Sequence, residues 1–135
     1  MILDANKFSD YINPDDLDME PVRRWMKSRG KIVYSPTEKL KQELDRHEKM
    51  RLRIDEYRNN GSLRQYPPQD VENVKTKLPK LKSDDPDIIA LACVAGVRLL
   101  ISGDTNLHED FKSVVRGSVY QNRKHSHLLK PDACP

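Results

Sequence analysis

Asp85-Pro86-Asp87-Ile88-Ile89-Ala90-Leu91-Ala92-Cys93-Val94-Ala95-Gly96, followed by Val97-Arg98-Leu99-Leu100-Ile101-Ser102-Gly103-Asp104, is the stretch whose reading decides the fold. Its first part opens on an acid and a proline, is almost wholly apolar from Ile88 to Ala95, and closes on Gly96. That pattern predicts a buried helix with an N-cap and a glycine stop. Arg98 to Ser102 then predicts the strand that this helix feeds. Helix, glycine and strand in this order make an α/β crossover, so the chain is predicted to be α/β, with a central parallel sheet flanked by helices. Asp104 falls just past the carboxyl end of a strand, the edge at which open α/β sheets gather their functional groups.

Working outward, Ile2-Leu3 leads into Asp4 in the same way, and Asp4-Ala5-Asn6 predicts the start of a helix over about Lys7 to Ile12. Asn13-Pro14 ends it. A second helix is predicted from Glu20 to Ser28, with Pro21 in its first turn, Val22, Trp25 and Met26 on one face, and Gly30 as the left-handed residue after its end. Lys31 to Tyr34 reads as a strand. Thr37 to about Arg58 reads as one long helix, on which Leu40, Leu44, Ile54 and Tyr57 form a narrow apolar stripe among charges. Asn59 to Gln69, with Asn-Asn-Gly and Pro67-Pro68, predicts a mobile connection. Beyond the decisive stretch, a short helix over Leu107 to Lys112, a last strand over Ser118 to Gln121 and a polar tail from about residue 122 are expected.

Composition narrows the function classes. The chain has 135 residues, enough for a single domain spanning 1–135, and its net charge of +3 permits nucleic-acid binding without requiring it. No apolar run approaches the roughly 20 residues of a bilayer crossing, and an acid at position 4 argues against a signal peptide. A soluble, cytoplasmic protein is expected, with no membrane partner. Two cysteines are too few for a disulfide scaffold. Cys93 is expected to be a buried thiol and Cys134 a free one. His125-Ser126-His127 lacks a tight ligand pattern and reads as part of the polar tail.

Asp4-Ala5-Asn6 after the first strand, Asp85 to Ala92 as a helix start, and Leu99-Leu100-Ile101-Ser102-Gly103-Asp104-Thr105-Asn106-Leu107 after a glycine resemble the PIN domain, a small nuclease fold. The resemblance covers residues 1 to about 112 and is most specific in its last third. It implies three or four carboxylates holding Mg²⁺ or Mn²⁺ for cleavage of RNA, less often DNA. Asp4 and Asp104 match the family's strand-end acids, and Asp85 matches its helix acid better than Asp84 or Asp87. Glu43, followed by Leu44, matches the acid-leucine pair, with Glu38 as the alternative. Asn6, Asp87, Ser102 and Thr105 take supporting places. Asn106 departs from members that carry a further aspartate there.

Carboxylates from distant segments suit this chemistry because Mg²⁺ and Mn²⁺ require hard oxygen ligands. One or two such ions orient a water and neutralise charge on a phosphorane-like transition state. Phosphate contacts are expected from Lys75, Lys77, Lys80 and Lys82, and from a basic helix surface around Arg46, Lys49, Arg51 and Arg53. Each acid also has a plainer role open to it. Asp4 and Asp85 could be helix caps, Asp104 a turn residue and Glu43 a surface charge. Their conjunction at one sheet edge favours a metal-dependent endoribonuclease acting on single-stranded RNA. The alternatives are a non-catalytic PIN-like protein that binds RNA, and a partner-docking protein using the long helix. A protein inhibitor or a homo-oligomer is compatible with either.

Overall fold

The structure is a computed structural model and describes residues 1–130; Cys134 lies outside the described residues. Five short strands, β1 (Ile2–Leu3), β2 (Ile32–Tyr34), β3 (Leu63–Gln65), β4 (Leu99–Ile101) and β5 (Ser118–Tyr120), alternate with helices. The helices are α1 (Phe8–Ile12), α2 (Glu20–Ser28), α3 (Glu38–Asp45), α4 (Glu48–Asn60), α5 (Pro68–Lys75), α6 (Pro86–Ala95) and α7 (Thr105–Asp110). The expected α/β class is therefore correct.

The parallel sheet is divided. β1, β4 and β5 form a three-stranded parallel sheet in that order, with Ile2 opposite Leu100 and Leu100 opposite Val119. β2 and β3 form a separate parallel pair. Two hydrogen bonds join the pieces: the Met1 amino group donates to the Lys31 carbonyl (2.8 Å) and the Val33 amide donates to the Met1 carbonyl (3.0 Å). All strands run the same way, so their carboxyl ends share one edge. Connections leave β1 toward β2 on one side and reach β4 on the other, which makes the gap between the ends of β1 and β4 the switch point of the sheet.

The core is built as the decisive stretch predicts. Ile88, Ile89, Ala90, Leu91 and Ala92 of α6 are all buried, as are Leu99, Leu100 and Ile101 of β4. Fully burying a side chain of this size contributes about 1.5–3 kcal/mol. Gly96 ends α6 in the left-handed region, φ 69°. Cys93 departs from expectation, since it lies on the outer face of α6 and is exposed.

Other differences have local causes. The predicted helix from Thr37 to Arg58 is two helices broken at Arg46-His47, because His47 leaves helical geometry and its Nδ1 accepts from the Met50 amide (3.2 Å), capping α4. Leu44, Ile54 and Tyr57 are buried in the chain's own core, so the apolar stripe is not offered to a partner. The segment 59–69, expected as a mobile connection, contains β3 and the start of α5; Gly61, φ 82°, turns the chain from α4 into β3. Gly30 is not left-handed. It is needed for space, since a Cβ there would stand 2.6 Å from the Trp25 ring. The expected polar tail forms a 3₁₀ helix over Arg123–Leu128, and Leu128 and Leu129 pack on the core.

Candidate functional site

Asp4 follows β1 directly and is buried, only 4% exposed. Its backbone continues the β1–β4 ladder, the Asp4 amide donating to the Ile101 carbonyl (2.9 Å). Its side chain makes no cap to the turn that follows. Instead the Ser102 hydroxyl donates to Asp4 Oδ2 (2.7 Å) and accepts from the Asp104 amide (3.0 Å), tying the two strand-end acids together. Asn6 adds a second tie, its Oδ1 accepting from the Gly103 amide (3.2 Å). Ser102 and Asn6 thus join the ends of β1 and β4. Thr105 is exposed, as the first residue of α7.

Asp104 caps α7, its Oδ1 accepting from the amides of Asn106 (2.9 Å) and Leu107 (3.3 Å). One carboxylate oxygen is thereby spent on the helix. Asp85 occupies the N-cap position of α6 yet makes no side-chain cap. Its carboxylate faces Lys39, with Lys39 Nζ 2.6 Å from Asp85 Oδ1; the same ammonium also donates to the Asp84 carbonyl. Glu43, on α3, is half-buried and borders a small, mostly apolar cavity of about 30 Å³ whose lining includes Ile2, Val33, Leu40 and Ile88.

Charge links these acids. Burial raises the pKa of Asp4, and the neighbouring charges of Asp85 and Asp104 raise it further against the pull of Ser102. Burial likewise raises Glu43, reinforced by Asp85, Asp4 and Asp87 and opposed by Lys39. Burial works against the Lys39 ammonium, but Asp85, with Glu43 and Asp87 behind it, holds its pKa above the ordinary lysine value. Acids from four segments therefore feel one another across the switch point, with one lysine among them. Glu38, the alternative to Glu43, is exposed.

Asp87 belongs to the framework. It is buried, accepting from Thr37 Oγ1 (2.6 Å) and from Lys75 Nζ (3.1 Å). Thr37 also caps α3 by accepting from the Leu40 amide (3.3 Å), so Asp87 locks α3, α5 and α6 together. Lys75 pairs with Glu72 as well (3.0 Å), and Lys82 pairs with Glu109 (2.8 Å). These two lysines, expected at phosphates, pair with acids in the structure. Lys77, Lys80 and Arg46 are exposed and make no ion pair among the described residues.

The donor set suits a hard divalent ion in its chemistry, since four carboxylates repel one another around a single ammonium. Its present spacing does not close around one. Among the described residues, no three Asp, Glu, His or Cys side chains stand close enough to share an ion. Lys39 draws Asp85 aside and α7 engages Asp104. Lys39 was the residue missed from the sequence, where a lysine on a charge-rich helix carries no signal of its own.

Mutual repulsion gives the site a pH signature. In the folded protein Asp4 and Glu43 hold protons more tightly than in the unfolded chain. As pH falls, the folded state takes them up first and gains stability relative to the unfolded chain, until the ordinary values of 3.8 and 4.5 are passed. Asp110 works in the opposite sense: burial is outweighed by N–H donors of Lys82 and Ser83, and its effect lies below 3.8. Urea melts without metal are expected to show these two acids adding stability as pH falls toward their ordinary values of 4.5 and 3.8. Asp4→Asn should flatten that rise; an unchanged slope in the variant would show that Asp4 does not cause it.

Among the described residues, no helix is long and apolar enough to cross a membrane. Comparison of the chain with family models, with curated proteins and with solved structures finds no match.

Proposed function

We propose that this α/β chain is a metal-dependent endoribonuclease of PIN-like architecture, cleaving single-stranded RNA with Mg²⁺ or Mn²⁺. The observation that carries the reading is the electrostatic coupling of Asp4, Glu43, Asp85 and Asp104 at the sheet's switch point, two of them with raised pKa. Clustered acids cost stability unless a cation offsets them, so a fold that gathers four has a use for one. Asp4, Glu43, Asp85 and Asp104 would hold the ion, which when bound supplies an activated water and neutralises charge on the phosphate. Ser102 and Asn6 keep Asp4 and the Gly103–Asp104 turn in register. Asp85, making no cap, can turn from Lys39 without loosening α6.

The deciding experiment is incubation with labelled single-stranded RNA and DNA, with and without Mn²⁺. Cleavage of RNA only with the ion is expected. Glu43→Gln should lower it by about tenfold or more while Glu38→Gln stays within about twofold of wild type. The reverse ranking would place the working acid at Glu38, five residues earlier on α3.

A second reading, a non-catalytic PIN-like protein that binds RNA, is favoured by Lys39, whose ammonium already serves Asp85 as a cation. The two readings part on Lys39→Gln. If a divalent ion can replace the lysine, the variant loses stability without metal and recovers it with millimolar Mn²⁺. If the lysine is the permanent counter-ion, Mn²⁺ restores nothing.

A further inference from the structure

A second feature lies away from the acidic edge. A groove of about 1000 Å³ lies between α2, α4 and the turns that enter β2 and β3, at the opposite end of the strands. Its lining carries five cations, Arg23, Arg24, Lys27, Lys31 and Arg53, against two acids, Glu20 and Glu56. Arg24 pairs with Glu20 (2.7 Å) and Arg53 with Glu56 (3.4 Å), so these four cancel. Arg23, Lys27 and Lys31 have no carboxylate within ion-pair distance among the described residues. That surplus equals the net charge of the whole chain, +3.

Two of these cations are held in place. The Arg23 guanidinium donates to the carbonyls of Tyr11 (3.2 Å), Pro14 (3.3 Å) and Asp16 (2.9 Å), which fixes it at the groove wall while leaving its charge uncancelled. Lys31 donates to the Gly61 carbonyl (2.8 Å), which keeps two further N–H donors of its ammonium available. Lys27 is exposed. Ordered cations lose less freedom on meeting an anion than mobile ones do. Several unpaired charges set along one groove fit a chain of repeated phosphates better than a single small anion.

We infer that this groove binds the phosphodiester backbone of single-stranded RNA, as a contact remote from the acidic edge. The inference rests on the nuclease reading for the choice of RNA and on the groove itself for the choice of a polyanion. It adds a backbone contact beyond the 75–82 segment, where Lys75 and Lys82 pair with acids while Lys77 and Lys80 are exposed.

The test is fluorescence anisotropy of labelled oligouridylate with the full chain in EDTA, so that nothing is cut. Lys27→Glu combined with Lys31→Gln is expected to weaken binding by about tenfold or more and to flatten its salt dependence, since single strands lose about 0.7 in log–log slope per lost contact. Labelled oligodeoxythymidylate should lose as much, because the phosphates are shared. Lys27→Glu alone, which touches no backbone bond, should show a smaller loss in the same direction. Binding within twofold of wild type in the double variant overturns the inference, as does an absence of binding in the wild type. Cleavage with Mn²⁺ is scored separately. A protein that cleaves RNA but binds equally well without these lysines keeps its nuclease reading and loses the groove; one that binds through the groove and never cleaves does the converse.

Discussion

Asp104→Asn is expected to cleave single-stranded RNA about 100-fold more slowly than wild type, or not at all, while melting at nearly the same temperature. The separation arises because Asp104 has two roles that the substitution treats differently. As the cap of α7 it accepts two amide hydrogens through Oδ1, and asparagine caps nearly as well as aspartate. As one of the acids beside Asp4 it contributes a charge that asparagine lacks. Asp104→Ala removes both roles and should cost about 1 kcal/mol of stability as well. Wild-type cleavage by Asp104→Asn would show that Asp104 only caps, and would leave any ion to Asp4, Glu43 and Asp85.

Asp87→Ala is expected to cost about 2–3 kcal/mol, the scale of hydrogen bonds to a buried charged group, whereas its neighbour Asp85→Ala should cost less than about 1 kcal/mol. Asp87 is buried between Thr37 and Lys75 and holds three helices together. Asp85 caps nothing and contributes one partly buried ion pair, and its removal also relieves repulsion on Asp4 and Glu43. Chemical denaturation of both variants measures the difference. Stabilisation by Mn²⁺ should persist in Asp87→Ala and shrink in Asp85→Ala. Equal losses of stability, or the reverse pattern with metal, would assign the framework role to the wrong aspartate.

What could be read from the sequence was what a single residue type enforces. Pro86, the apolar run after it and Gly96 fix α6 with little help from elsewhere, and Ile2-Leu3 and Leu99 to Ile101 are apolar enough to be strands in any parallel sheet. The break at Arg46-His47 was hidden because neither residue forbids a helix; a histidine cap is decided by geometry. β3 was hidden because Leu63-Arg64-Gln65 is a half-exposed edge strand with one apolar residue, recognisable only beside β2. At the site, acids that follow strands could be named, but the lysine that opposes them could not. The groove cations had a faint signal, since Arg23, Lys27 and Lys31 recur every four residues along α2 and past its end. Tracking charge at helical spacing, rather than in runs, would have found them.

The hydrogen bond from Ser102 to Asp4 spans 98 residues, and β1 has no β4 to pair with until Leu99–Ile101 has been made. A chain emerging from the ribosome can therefore order α2, β2, α4 and β3, whose contacts are closer in sequence, well before its first strand finds its place in the three-stranded sheet. Pairings this distant make the last step of folding slow and leave Ile2 and Leu3 unpaired in the interval. The acids come together only at that last step. A chain that has not yet reached β4 thus carries the cationic groove but no assembled carboxylate edge, so whatever chemistry that edge performs begins only after the segment through Asp104 has been made.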